Sequence, residues 1–205
     1  MRTIVTVQHT QSLHHTNGMV GSWTDWDLSA KGVRQAERLA ERLAAEISDK
    51  RWALYSSDLL RARHTAEIIG AHLSLAPVTT PALRERNLGR AVGQSVAWLR
   101  ANMECEERTV DDKMFSDGES LRDVRRRLAP FLQERLEGPD ENILIVSHGD
   151  ALNVFCALWL NLPPEALNGC AFRGQAGGVS FLTEGPDGRR VLQRFSDMSY
   201  LRQPL

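Results

Sequence analysis

The stretch Ser56-Ser57-Asp58-Leu59-Leu60-Arg61-Ala62-Arg63-His64-Thr65-Ala66 decides the fold, because it joins the end of one element to the start of another. Upstream, Trp52 to Ser56 reads as a short strand. Downstream, Leu59, Ala62, Ala66, Ile69 and Leu73 recur at helical spacing and give one apolar stripe. A strand passing directly into a helix, with an arginine in the junction, is the repeating unit of an α/β sheet.

The same unit recurs on either side. Thr3 to Val7 is β-rich and runs into Gln8-His9-Thr10. After a loop rich in His, Asn, Gly and Trp, Ser29 reads as the N-cap of a helix whose apolar face is Val33, Ala36, Leu39, Ala40, Leu43 and Ile47. Asn142 to Ser147 is a run of apolar, β-branched residues, as expected of a strand buried on both faces. It ends in His148-Gly149, and a helix follows with Ala151, Leu152, Phe155 and Leu158. Pro77 to about Asp117 is irregular, with a helix expected around Val96 to Glu106. Ser116-Asp117-Gly118-Glu119 has capping-box spacing ahead of a helix bearing Leu121, Val124, Leu128, Phe131, Leu132 and Leu136. Pro130 inside that helix predicts a kink or break. Val179 to Leu182 and Arg190 to Phe195, joined by Pro186-Asp187-Gly188, read as a hairpin. The expected fold class is α/β: a single domain over residues 1–205, three-layer α/β/α, with a mostly parallel sheet.

The bulk numbers narrow the partners. A chain of 205 residues is long enough for one well-buried core. Its formal net charge of -1 offers no basic field for nucleic acid or an anionic membrane, so an anionic substrate must be drawn by a local cluster. The longest apolar runs, such as Val154 to Leu160, fall far short of a membrane span. The first residues lack the apolar run of a secretory signal. Cys105, Cys156 and Cys170 have no CxxC spacing and read as reduced thiols, two of them in the core, in a cytoplasmic protein.

Ligands of open α/β sheets sit beyond the carboxyl ends of the strands. His9, Arg61 and His148 each follow such an end, so parallel neighbouring strands would bring all three to one crevice. Taken singly, His9 is an ordinary loop histidine, Arg61 a helix-surface arginine and His148-Gly149 a turn; order and spacing make the case. A neutral imidazole can attack phosphorus, cationic donors stabilise the charge on the transferring group, and a nearby glutamic acid can protonate the leaving oxygen.

Together these residues resemble the histidine phosphatase superfamily, a phosphoglycerate mutase-like fold. The family's opening Arg-His-Gly-Glu/Gln-Thr/Ser is met by Gln8-His9-Thr10-Gln11-Ser12, and its Asp-x-x-Leu-Thr-x-x-Gly-x-x-Gln-Ala stretch by Asp25 to Ala36. Its Ser-Ser-Asp-Leu-x-Arg-Ala-x-x-Thr-Ala signature is complete at Ser56 to Ala66. Leu83-Arg84-Glu85, Gly118-Glu119-Ser120 and Ile143 to Gly149 match its remaining segments. The resemblance implies a transient phosphohistidine on His9, with Glu85 as proton donor and acceptor. Arg61 and His148 would grip the phosphate, and Gln8, His15 and Gly149 occupy neighbouring substrate-contacting positions. It implies a small phosphorylated substrate and neither metal nor organic cofactor. The short chain resembles the phosphatase branch more than the longer mutases.

The departures fall in one loop. Gln8 stands where the family has a phosphate-binding arginine; losing such a charge-assisted contact costs roughly 1.5–3 kcal/mol of binding. Thr10 replaces a glycine and is strained if that position needs a positive φ. His15 replaces an asparagine. Arg84, Arg86, Arg90, His14 and His15 are candidates to restore the charge, each with a plainer reading as a solvated group. Three readings follow: a phosphomonoester hydrolase of altered rate or preference, a non-catalytic relative binding a phosphorylated ligand or protein, and a phosphoglycerate-mutase-type isomerase. Trp23 and Trp26 read as packing residues, Arg125-Arg126-Arg127 as the wet face of a helix, and His64 and His72 as helix residues without a catalytic role. The last hairpin or an edge strand leaves a homodimer open.

Overall fold

The computed structural model describes residues 2–47 and 51–201. In chain order the elements are β1 (Arg2–Gln8), the one-turn α1 (His14–Asn17), α2 (Ala30–Ile47), β2 (Ala53–Ser57), α3 (Leu60–Leu73), β3 (Val78–Thr80), α4 (Val96–Asn102), α5 (Leu121–Glu137), β4 (Asn142–Ser147), α6 (Gly149–Trp159), β5 (Val179–Glu184) and β6 (Arg190–Asp197). The six strands form one sheet in the order β3-β2-β4-β1-β5-β6. β3, β2, β4 and β1 run parallel, with Val7 opposite Val146 and Gln8 opposite Ser147. β5 and β6 close one edge antiparallel, as the hairpin reading expects.

Alternation along β1 sorts the core into two clusters. Val5 and Val7 pack with Leu39, Leu43, Ala62 and Ile69 from α2 and α3. Ile4 packs on the other face with Val124, Leu128, Val154 and Trp159 from α5 and α6. β4 is buried along its whole length because helices cover both its faces. This is the three-layer α/β/α arrangement, and it sets the C-terminal ends of β1, β2 and β4 side by side at one rim of the sheet.

Several local expectations change. The capping box opening α5 lies four residues later than Ser116: Ser120 Oγ accepts from Asp123 N–H, and Asp123 returns the bond to Ser120 N–H. Glu119 is drawn away to Arg127 and to the backbone N–H of Asn87. Pro130 does not break α5, because it and Arg126, whose carbonyl loses a donor, both lie on the solvent side. α4 stops at Asn102 rather than Glu106. Only Cys156 belongs to the core; Cys105 and Cys170 are exposed. Arg127 leaves the wet face expected of its run, reaching back to donate to the carbonyls of Ala82 and Glu85. No described helix is long and apolar enough to cross a membrane.

Candidate active site

The strand ends deliver the side chains. His9 follows β1, its N–H bonded to the Ser147 carbonyl of β4 at 2.9 Å, and it is nearly fully buried. Arg61 sits in the first turn of α3, and His148 is the N-cap residue of α6; both are buried. The rings of His9 and His148 meet edge to face, with centroids 5.1 Å apart.

Hydrogen bonds assign the tautomer of His9. Its Nδ1 lies 2.8 Å from the Thr10 carbonyl, which only accepts, so Nδ1 carries the proton. Nε2 therefore bears the lone pair, and Arg61 Nε donates to it at 3.2 Å. Burial, then the Arg61 charge, holds the His9 imidazole well below its usual range, so it is neutral. Arg61 is anchored in turn, donating to the Thr24 and Ser22 carbonyls at 2.7 Å each. Burial lowers its guanidinium to about 10, which still leaves it charged at neutral pH.

His148 is arranged differently. Ser57 Oγ accepts from Leu59 N–H at 3.2 Å and lies 2.8 Å from His148 Nε2, the one described acceptor in reach of its hydrogen, which is therefore assigned there. That leaves the proton of His148 on Nδ1, a fully buried atom with no protein partner. An unsatisfied buried donor beside His9 suits an anionic oxygen. Burial, then Arg61, lowers the His148 pKa well below its usual range, so this donor is a neutral one.

Glu85 reaches the same rim from the segment after β3. Its carboxylate accepts from Asp150 N–H at 3.1 Å and Ala151 N–H at 3.2 Å, at the N-terminus of α6. Desolvation, then the nearby Asp150 charge, raises its pKa above the ordinary glutamate value. Arg127 and Trp23 both donate to the Glu85 carbonyl, at 2.9 and 2.6 Å, which fixes the backbone that carries this acid. Neither had a local signal in the sequence beyond the arginine run and the tryptophan loop, since both partners are distant along the chain.

The changed loop is held firmly. Thr10 is fully buried, its Oγ1 donating to the Gly32 carbonyl at 2.8 Å and its N–H to Thr65 Oγ1 at 3.3 Å. It is absent from the positive-φ residues, so the strain expected of a β-branched residue does not arise. Gly32 is required instead for close approach: a Cβ there would fall 1.8 Å from the Gln11 carbonyl oxygen. Gln8 points to the α6 side of the sheet, its amide facing Gly149 and Gly174. Gly149 leaves that space open to Gln8 and to Glu85, whose Oε2 would lie 3.7 Å from a Cβ at 149. His15 stacks on His9 with centroids 5.5 Å apart, and its Nδ1 accepts from Ser12 N–H.

Three arginines considered as substitutes for the missing charge are already engaged. Arg84 makes a bidentate pair with Asp58 over the ring of Trp23. Arg86, buried, is paired with Glu107 and Asp150, and Arg90 with Glu104. His64 pairs with Asp27, whereas exposed His72 bonds only its own helix.

Two buried neutral histidines, an anchored arginine and an acid of raised pKa thus share one rim of a three-layer α/β/α sheet, an arrangement able to hold an anion. The model of the histidine phosphatase superfamily (branch 1) matches residues 4–197, and the chain belongs to that superfamily. It is similar to the probable phosphoglycerate mutase GpmB of Yersinia enterocolitica, 30% identical over 171 residues covering 81% of this chain and 78% of that one. It is also similar to the 2,3-bisphosphoglycerate-dependent phosphoglycerate mutase of Afipia carboxidovorans, 33% identical over 178 residues, with 81% and 84% covered. Among solved structures, mycobacterial glucosyl-3-phosphoglycerate phosphatase complexed with VO3 superposes with a TM-score of 0.82 at 25% identity, covering 96% of this chain and 99% of that one.

Proposed function

We propose that the chain is a phosphomonoester hydrolase that works through a transient phosphohistidine on His9. The observation that carries this reading is the buried, unpartnered Nδ1–H of His148, whose ring lies edge to face with that of neutral His9. Nε2 of His9 attacks phosphorus while the bond to the leaving alkoxide breaks, and Glu85 in its acid form gives that oxygen its proton. Glu85, now a carboxylate, takes a proton from water as the water oxygen attacks phosphorus; the P–N bond breaks, phosphate leaves and His9 is restored. Arg61 and His148 Nδ1–H stabilise the charge on the equatorial oxygens, with the α6 N-terminus at Gly149 adding its dipole. Gln8 and His15 contribute uncharged contacts. A cleft of about 600 Å³ lined by Gly149, Asp150, Arg86, Asn153 and Phe172 lies beside the α6 N-terminus.

The names of the curated relatives favour a second reading, an isomerase of the phosphoglycerate-mutase type, which shares the phosphohistidine and differs only in the acceptor. Incubating the protein with 3-phosphoglycerate and with a small aryl phosphate separates the two. Free phosphate from either substrate supports the hydrolase; 2-phosphoglycerate without phosphate supports the isomerase; neither product overturns both and leaves a non-catalytic phosphate binder.

A further inference from the structure

The loop after β1 carries an uncharged Gln8 and three imidazoles. His9, His14 and His15 each offer a ring nitrogen, and these three atoms all lie within 4.8 Å of one another. The rings of His14 and His15 are 3.9 Å apart, and His14 lies 5.8 Å from His9. No described carboxylate hydrogen-bonds to any of the three, so nothing in the cluster is arranged to stabilise imidazolium cations.

We propose that His9, His14 and His15 form a binding site for one borderline divalent transition-metal ion of the Zn²⁺ class. Three neutral imidazoles with a remaining position for water are a recognised ligand set for that ion. Imidazoles that bind metal hold their other nitrogen in a hydrogen bond. His9 does so through Nδ1 to the Thr10 carbonyl, and His14 through Nδ1 to Ser12 Oγ. Gly21 makes the room: its φ is not positive, yet a Cβ there would fall 2.8 Å from His14 Nε2. Nitrogens about 2.0–2.1 Å from a tetrahedral ion lie about 3.4 Å apart, so the rings close slightly on binding. Half-buried His14 and exposed His15 have the freedom for that movement. His15 gives most, because its Nδ1 accepts from Ser12 N–H and it must turn or shift its proton to ligate.

The Arg61 guanidinium, which donates to His9 Nε2, opposes any cation. Only an ion with strong affinity for nitrogen offsets that repulsion, which excludes Mg²⁺ and Ca²⁺, whose preferred ligands are oxygens. The ion takes the His9 lone pair, so it and a phosphate oxyanion exclude one another, and metal loading silences His9.

The test uses tag-free, metal-stripped full chain titrated with Co²⁺, followed by visible absorption, then displaced by Zn²⁺. The expected result is one ion per chain with the intense bands of a four- or five-coordinate nitrogen site. Those bands are lost in His14→Ala and in His15→Ala, retained in His72→Ala, and suppressed by inorganic phosphate. Wild-type protein giving only the pale octahedral spectrum overturns the proposal, as does a site unchanged in both loop variants. Circular dichroism on the same samples checks that the variants are folded. The readout is binding alone, so its failure leaves the hydrolase reading standing, and hydrolysis assayed in chelator tests that reading separately.

Discussion

Two regions meet at the same rim of the sheet and bring different chemistry to it. The β2–α3 junction, Ser56 to Ala66, carries the signature read in the sequence, and its polar residues have structural work. Ser57 sets the tautomer of His148, Arg61 points at His9, and Thr65 receives the Thr10 N–H. The loop after β1 reads as departing from that pattern at residues 8, 10 and 15, yet it too is tightly bonded. The difference is one of charge rather than order: the junction supplies a fixed cation and a fixed donor, while the loop supplies neutral amide and imidazole groups. Substitutions that keep the frame and remove charge are expected to change what the site grips, and how strongly, without loosening it.

The comparison is broken most severely at the residue the two regions share. His9→Ala is expected to reduce aryl phosphate hydrolysis by about 10⁴-fold or more, measured as phosphate release. Turnover surviving in that variant would detach the whole site from the chemistry. Glu85→Gln comes next, with a fall of about 10²–10⁴-fold in kcat. The pH profile should change with it, since the raised pKa of Glu85 places loss of the acid form above the ordinary glutamate range.

The divergence itself is sharpened by Gln8→Arg. Restoring a charge-assisted contact should raise kcat/KM by about 10–100-fold, corresponding to the roughly 1.5–3 kcal/mol such a contact contributes. An unchanged value would mean that the loop no longer addresses the phosphate from position 8. Thr10→Gly should lower stability by about 1–2 kcal/mol in denaturant unfolding, because the bond to Gly32 is lost and the backbone gains freedom. No release of strain offsets that loss.

The most diffuse effect, spread over the pH scale, is a pH dependence of stability. Burial depresses the folded pKa values of His9 and His148 below 6.5, so the unfolded chain binds protons more readily. Their contribution is complete above about pH 6.5 and is lost as pH falls from there toward the folded values, by at most about 1.4 kcal/mol per pH unit per histidine. Glu85 has the opposite sign: its raised folded pKa contributes below the unfolded value and is lost as pH rises through it. A melting temperature that falls on acidification from about pH 7 to about pH 5 therefore reports the histidines.

Most of the architecture was legible because its signals are local. The run Ile143 to Ser147 demands burial on both faces, and helical spacing after Leu59 and Ser29 places α3 and α2. His9, Arg61 and His148 were legible because strand ends in such sheets converge. What escaped depends on contacts between distant residues. Arg127 belongs to a charged run in the sequence, and only the approach of the Ala82 and Glu85 carbonyls makes it a brace for the acid. Trp23 is a similar case. Glu119 lost its capping role to partners in another segment, and the exposure of Cys170 follows from the loop it occupies. The relaxed backbone of Thr10 could not be read from residue type, since its bonds run to Gly32 and Thr65, both distant along the chain.

The central claim is that His9 carries the phosphoryl group, and rapid acid-free quenching of a reaction with aryl phosphate, followed by phosphorus NMR and peptide mass analysis, tests it directly. The account predicts an acid-labile, base-stable phosphoramidate on the peptide containing His9, absent from His9→Ala and accumulating in Glu85→Gln if leaving-group expulsion needs no proton from residue 85. Catalytic turnover with no label on His9, or a label on another side chain, would contradict it.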